Sequence, residues 1–268
     1  MADDLGELKS RLAEIADLGA ASAVMVWDQR THMPPGGAAA RARQLATISR
    51  LSHERLADPA LGELLERLKG YEATLDRDSD DASLIRVARR DHERAIRVPA
   101  SFVTELRAHA SATYQVWGKA RPANDFGMVR PYLEKSLELS RQYASYFPGY
   151  QHIADPLLDD AEEGWKTSEV QGIFAELREQ LVPIVSAITS QAKPDNSFLM
   201  ARYPESEQLA LGLDVVRQLG YDLSRGRQDK TLHPFEITFS VGDVRITTRV
   251  DEHDLKQALF GTIHEAGH

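Results

Sequence analysis

His264, Glu265 and His268, in the segment HEAGH, are the residues of this chain best suited to chemistry. On a helix, residues four apart project from one face, so both imidazoles can reach one metal ion. Glu265 directly follows the first histidine and can flank that face. Water on zinc held by neutral imidazoles has its pKa lowered towards about 7, and an adjacent carboxylate can accept its proton. The resulting hydroxide attacks a carbonyl polarised by the metal, and the protonated glutamate returns its proton to the leaving amine. That is the chemistry of a metallopeptidase. The competing reading is a surface helix with two stray histidines.

Nothing else in the chain rivals this motif. It contains no Walker-type loop, no GxGxxG and no GxSxG. Zero cysteines exclude disulfides, thiolate metal sites and a cysteine nucleophile. His53, His92, His109, His152 and His253 lack ligand spacing and read as surface or satisfied core residues. Trp27, Asp28 and His32 suggest a small cluster, but Trp27 reads as packing and the rest as a loop. The arginines between Arg86 and Arg97 alternate with acids such as Asp91 and Glu93, the pattern of a solvated helix face.

Several elements must position the motif. Leu5, Leu8, Leu12, Ile15 and Leu18 recur at helical spacing, and the pattern continues to Trp27 before the breaker MPPGG at 33–37. Further helices are predicted at about 38–57, 60–69, 82–97, 99–120 and 125–147. Residues 150–166 carry an acidic run and read as a loop. Ser168 with Gln171 predicts a capping box for a helix to about 191, kinked at Pro183. Another helix is expected from Pro204 to Gly220. The period then changes: Ile237, Phe239 and Val241 alternate, as do Val244, Ile246, Thr248 and Val250, about a Gly242-Asp243 pair. This predicts a β-hairpin. Its strand edge could pair with an extended substrate, or the hairpin could be purely structural. Asp251 or Asp254 can cap a last helix carrying Leu255, Leu259 and Ile263 into HEAGH.

Composition narrows the function classes. The 268 residues carry 32 Lys+Arg against 41 Asp+Glu, a net charge of −9, which argues against a nucleic-acid partner tracking phosphates. The acidic start MADDLGELKS is unlike a signal peptide, and no stretch approaches the ~20 apolar residues that span a bilayer. The expectation is a cytoplasmic protein without membrane contact.

Several segments together resemble the carboxypeptidase Taq family. His233-Pro234-Phe235 is similar to its HPF motif, Asp243, Arg245 and Thr247 to its DxRxT motif, and His264–His268 to its HExxH. Residues 26–46 and 116–139 also resemble family sequence. The resemblance implies a mainly helical, gluzincin, neurolysin-like architecture with one small β-hairpin before the HExxH helix. It implies His264 and His268 as metal ligands, Glu265 as general base, and one Zn2+ (or Co2+) per full-length chain. The HPF and DxRxT residues would bear on peptide substrates, and the protein would be a homodimer. Alternatively, Asp243 and Arg245 form an ion pair orienting the hairpin, Pro234 fixes the entry to its first strand and Phe235 packs.

In one respect the chain departs from the pattern. The family's third metal ligand, a glutamate, and the arginine for the substrate carboxylate come from motifs beyond the position of His268. Residues 1–268 are therefore expected to be a single incomplete catalytic domain: a helical portion at 1–200, then helix, hairpin and the start of the metal helix at 201–268. By itself it should bind metal weakly and lack peptidase activity. The alternative is a non-catalytic helical association module with a vestigial HExxH.

Overall fold

The computed structural model describes residues 2–268. Helices make up 70% of it: α1 (Ala2–Thr31), α2 (Ala38–Leu56), α3 (Pro59–Glu72), α4 (Asp80–Ala95), α5 (Ala100–Ala123), α6 (Phe126–Ser145), α7 (Asp155–Ala161), α8 (Thr167–Thr189), α9 (Glu205–Gln218) and α10 (Leu255–Gly267). Three strands, β1 (Gly226–Lys230), β2 (Glu236–Ser240) and β3 (Asp243–Thr248), form one sheet in the order β1-β3-β2. The chain divides into two compact units, Met1–Met128 with Leu199–His268, and Val129–Phe198.

In the first unit α1 is the spine. Its 30 residues extend about 45 Å at 1.5 Å per residue. Leu5 and Leu8, near its start, enter the core made with Leu61, Leu64, Leu65 and Leu68 of α3 and Ile85 and Ala88 of α4. Gly62 permits close approach there, because a Cβ would lie 2.6 Å from Nε2 of the buried His92. The far end of α1 carries Trp27, 7% exposed, to the sheet.

Helix ends follow local chemistry. Asp58 and Ser79 accept the backbone N–H of Ala60 and Ala82 at the starts of α3 and α4. Asp254, one of the two expected caps, accepts from Lys256 and opens α10. Gly220, at φ 101°, closes α9, and Tyr221 N–H returns to Val216 O at 2.9 Å. Pro99 stands at the N-cap of α5 rather than inside its first turn.

The sheet departs from a simple hairpin. β2 and β3 pair antiparallel as expected, but Val241 lies in the turn, 86% exposed, and Asp243 already belongs to β3. β1 adds a parallel partner on the other side of β3. Its sequence, GRQDK, has no apolar alternation and gave no strand signal.

The second unit shows two further differences. The acidic segment expected to be a loop contains α7. Asp155 is 3% exposed and accepts from His152 N–H (3.0 Å), Thr167 N–H (2.8 Å) and Thr167 hydroxyl (2.6 Å). These bonds hold its carboxyl down at about 2. α8 starts two residues earlier than expected, with Lys166 rather than Ser168 at the N-cap and Glu169 rather than Gln171 accepting the capping N–H, from Lys166 at 3.0 Å. No residue of α8 is buried, and Ile173, Phe174, Leu177, Leu181, Ile184 and Ile188 are each at least 45% exposed.

Candidate metal and substrate site

The site grows from the two faces of the sheet. Side chains alternate along a strand, so Ile246 and Thr248 of β3 point opposite to Arg245 and Thr247. The first pair meets α10: Thr248 hydroxyl donates to Ala258 O at 3.2 Å, and Ile246 is fully buried. Gln228 of β1, level with Ile246 in the ladder, donates from Nε2 to Thr262 Oγ1 at 2.6 Å. Across α10, a Cβ on Gly212 of α9 would sit 3.3 Å from Thr262. Ala258, Thr262 and Glu265 make one buried stripe on α10.

His264 and His268 flank that stripe on the exposed part of the helix, next to Glu265 in the helical turn, with ring centroids 4.9 Å apart. The i,i+4 geometry does present two imidazoles together. Glu265 is 7% exposed, and among the described residues its carboxylate has no hydrogen-bond partner or ion pair. The donor set suits a divalent cation in kind and spacing but not in number. No group of three His, Cys, Asp or Glu side chains among the described residues could hold a metal, whereas catalytic zinc takes three protein ligands.

The DxRxT residues occupy the opposite face, against α1. Arg245 donates through Nε and Nη2 to the two oxygens of Asp243, at 2.9 and 2.8 Å. Its guanidinium lies 4.4 Å from the Trp27 ring centroid and 4.8 Å from that of Phe239. The Asp243 carboxyl is held below its ordinary range by the hydrogen bonds from Arg245. β1 repeats the arrangement: Arg227 pairs with Asp229 at 2.8 and 2.6 Å and lies 5.2 Å from Trp27. His32 reaches Asp229 at 3.0 Å and meets Trp27 edge-on at 5.2 Å. Trp27 thus packs, as its sequence context suggested, while His32, expected in a plain loop, joins a network with β1.

The HPF residues bridge the two faces. Thr247 Oγ1 accepts from Phe235 N–H at 2.8 Å and donates to Phe235 O at 3.0 Å, so the two motifs clasp each other. Pro234 lies against α10, 3.7 Å from the position of a Cβ on Gly261, one turn before His264. Phe235 stacks on Arg30 at 5.0 Å and His233 meets Trp117 edge-on at 6.4 Å. Sequence reasoning missed Arg227, Gln228 and Asp229, whose polar types hide a strand, and Arg30, whose role exists only through distant rings.

Compared with known proteins, residues 7–268 match the carboxypeptidase Taq (M32) metallopeptidase family. The chain belongs to that family. It is 39% identical over 275 residues to thermostable carboxypeptidase 1 of Thermus thermophilus, covering 99% of this chain and 53% of that protein. Carboxypeptidase 1 of Bacillus subtilis is 35% identical, over 96% of this chain and 51% of the relative. The crystal structure of the M32 carboxypeptidase from Deinococcus radiodurans R1 superposes with a TM-score of 0.83 at 43% identity, over 99% of this chain and 53% of that one. The chain therefore spans about half the length of the M32 relatives it matches. No helix among the described residues is long and apolar enough to cross a membrane.

Proposed function

We propose that this chain forms the metal-helix half of a metal-dependent carboxypeptidase that removes residues from peptide C-termini with broad specificity. The observation that carries this reading is the exposed His264–His268 pair, rings 4.9 Å apart, on a helix whose adjoining stripe, with Glu265 in it, is buried. Zn2+ or Co2+ on those imidazoles, when bound, would supply Lewis acidity and an acidified water. Glu265 takes the general-base role: a carboxylate without a competing partner on the chain holds a proton and delivers it to the leaving amine. Asp243, Arg245 and Thr247 fix β3 and the HPF loop, and through Pro234 they set the wall beside the helix. Two histidines fall short of a catalytic set, so the 268-residue chain alone binds zinc weakly and leaves peptides intact. The complete enzyme acts as a homodimer on peptide substrates.

The test has two arms. Titration calorimetry of this chain with zinc is expected to show no one-to-one site tighter than about 1 μM, and a tighter site overturns the half-site reading. A version extended to the length of the relatives should release C-terminal residues from blocked dipeptides in a chelator-sensitive way. If it does not, the carboxypeptidase reading fails. The exposed apolar row on α8 favours the second reading, a non-catalytic association module, which predicts inactivity in both versions.

A further inference from the structure

Phe235 and His233, on either side of Pro234 in the HPF loop, join an alternating ladder of cations and rings. Phe235 lies 5.0 Å from the Arg30 guanidinium, whose other ring contact is Tyr114 at 5.1 Å. Tyr114 leads to Trp117 at 5.8 Å, and Arg121 lies 5.2 Å from the Trp117 ring. His233 closes on Trp117 edge-on. The rings are half-buried, while Arg30, Arg121 and His233 are exposed.

The charge at this place is unusual for the molecule. The chain has nine more acidic than basic side chains, yet neither Arg30 nor Arg121 has a carboxylate partner among the described residues. Arg121 spends one N–H on Leu232 O at 3.3 Å, whereas the Arg30 guanidinium donates no hydrogen bond among those residues, its backbone carbonyl alone accepting from Thr231. Stacking uses the face of a guanidinium and leaves its in-plane N–H groups unspent. The rings also fix the plane, so part of the ordering cost of binding is already met. A planar, preoriented fork with unspent donors matches a carboxylate, which can accept two parallel bonds from it.

We propose that this ladder is an anion-selecting surface for acidic peptide segments, giving the protein a preference for substrates with Asp or Glu upstream of the scissile bond. Pro234, in contact with α10 one turn before His264, places the ladder beside the metal helix. Two arginines on an acidic protein suit one or two carboxylates rather than a polyphosphate chain, which needs many cations. The proposal rests on the peptidase reading for its substrate, but the recognition itself needs no metal.

The test is direct binding of blocked hexapeptides to this chain, in chelator and at low ionic strength. A Glu-containing peptide is compared with the same peptide carrying Gln at those positions. The Glu peptide should bind about tenfold tighter, with the gap closing as salt is raised. Arg30→Gln and Arg121→Gln should each weaken the Glu peptide about threefold to fivefold, leave the Gln peptide unchanged and together remove the preference. Arg30→Lys, which keeps the charge and loses the planar fork, should recover less than half of the loss. Equal binding of the two peptides by the unmodified chain overturns the proposal. So does a preference that survives the double substitution, or full recovery by lysine. Arg121 is exposed at the end of α5, so its variant carries the test if Arg30→Gln unfolds. Because no metal is present, failure here leaves the zinc and hydrolysis tests untouched, and their failure leaves this binding result standing.

Discussion

Replacing Arg245 with lysine tests whether the sheet is fixed to α1 by geometry or by charge alone. The substitution keeps the positive charge but removes the bidentate pair to Asp243 and the planar stack between Trp27 and Phe239. The Asp243 side chain is 39% exposed and that of Arg245 19%, so solvent screens the ion pair to about 1 kcal/mol. Each stacked ring adds about 0.5–1 kcal/mol at partly exposed sites. Arg245→Lys should therefore cost about 2 kcal/mol, and Asp243→Asn, which leaves the stack in place, about 1 kcal/mol. The double variant should recover about 1 kcal/mol as coupling. Urea unfolding read by tryptophan fluorescence in a Trp165→Phe background measures this, since Trp165 lies in the other unit.

The same pair fixes a pH dependence. The folded Asp243 carboxyl sits below its unfolded value of 3.8, so its stabilisation is fully present above that value and is lost as pH falls through the folded one. The gap between the unmodified chain and Asp243→Asn should thus be constant near neutrality and shrink on acidification below about pH 4. If Arg245→Lys falls within about 0.5 kcal/mol of the parent, or the coupling is zero, the stack and fork do not hold the sheet.

Two further outcomes follow from the second unit. Asp155, held at about 2 by Thr167 and His152, stabilises the 150–167 segment above about pH 4 and progressively less as pH falls towards that folded value. Asp155→Ala should accordingly make this segment a faster site of limited proteolysis at neutral pH, and unchanged cleavage would refute the role of those bonds. The exposed apolar row on α8 should drive self-association as concentration rises; light scattering should show this loss of monomer, and Phe174→Glu with Leu181→Glu should restore it. A clean monomer throughout counts against the row as a contact surface.

Legibility in the sequence tracked how local the determining contacts are. HEAGH, the helix carrying it, its Asp254 cap and the β2–β3 hairpin could be read because periodicity, capping and spacing act within a few residues. β1 could not. Its one-sided environment is made of Trp27 and His32, and the His32–Asp229 contact joins residues 197 apart in sequence. Arg227 and Asp229 satisfy each other on that face, so the strand carries charge where alternation would call for apolar residues. α7 was hidden for a similar reason, since Asp155 reads as one more acid until Thr167 folds back onto it.

The sequence by itself determined the kind of chemistry on offer: two imidazoles and a carboxylate at helical spacing, in a mainly helical M32 chain without thiols. Only the tertiary structure decided which side of each element does what. It turned Glu265 inward and the histidines outward, placed Arg245 behind the sheet on Trp27, and brought Arg30 of α1 onto rings from α5 and the HPF loop. Residue type and local period fix what a side chain can do, whereas the partners that orient and desolvate it come from distant parts of the chain.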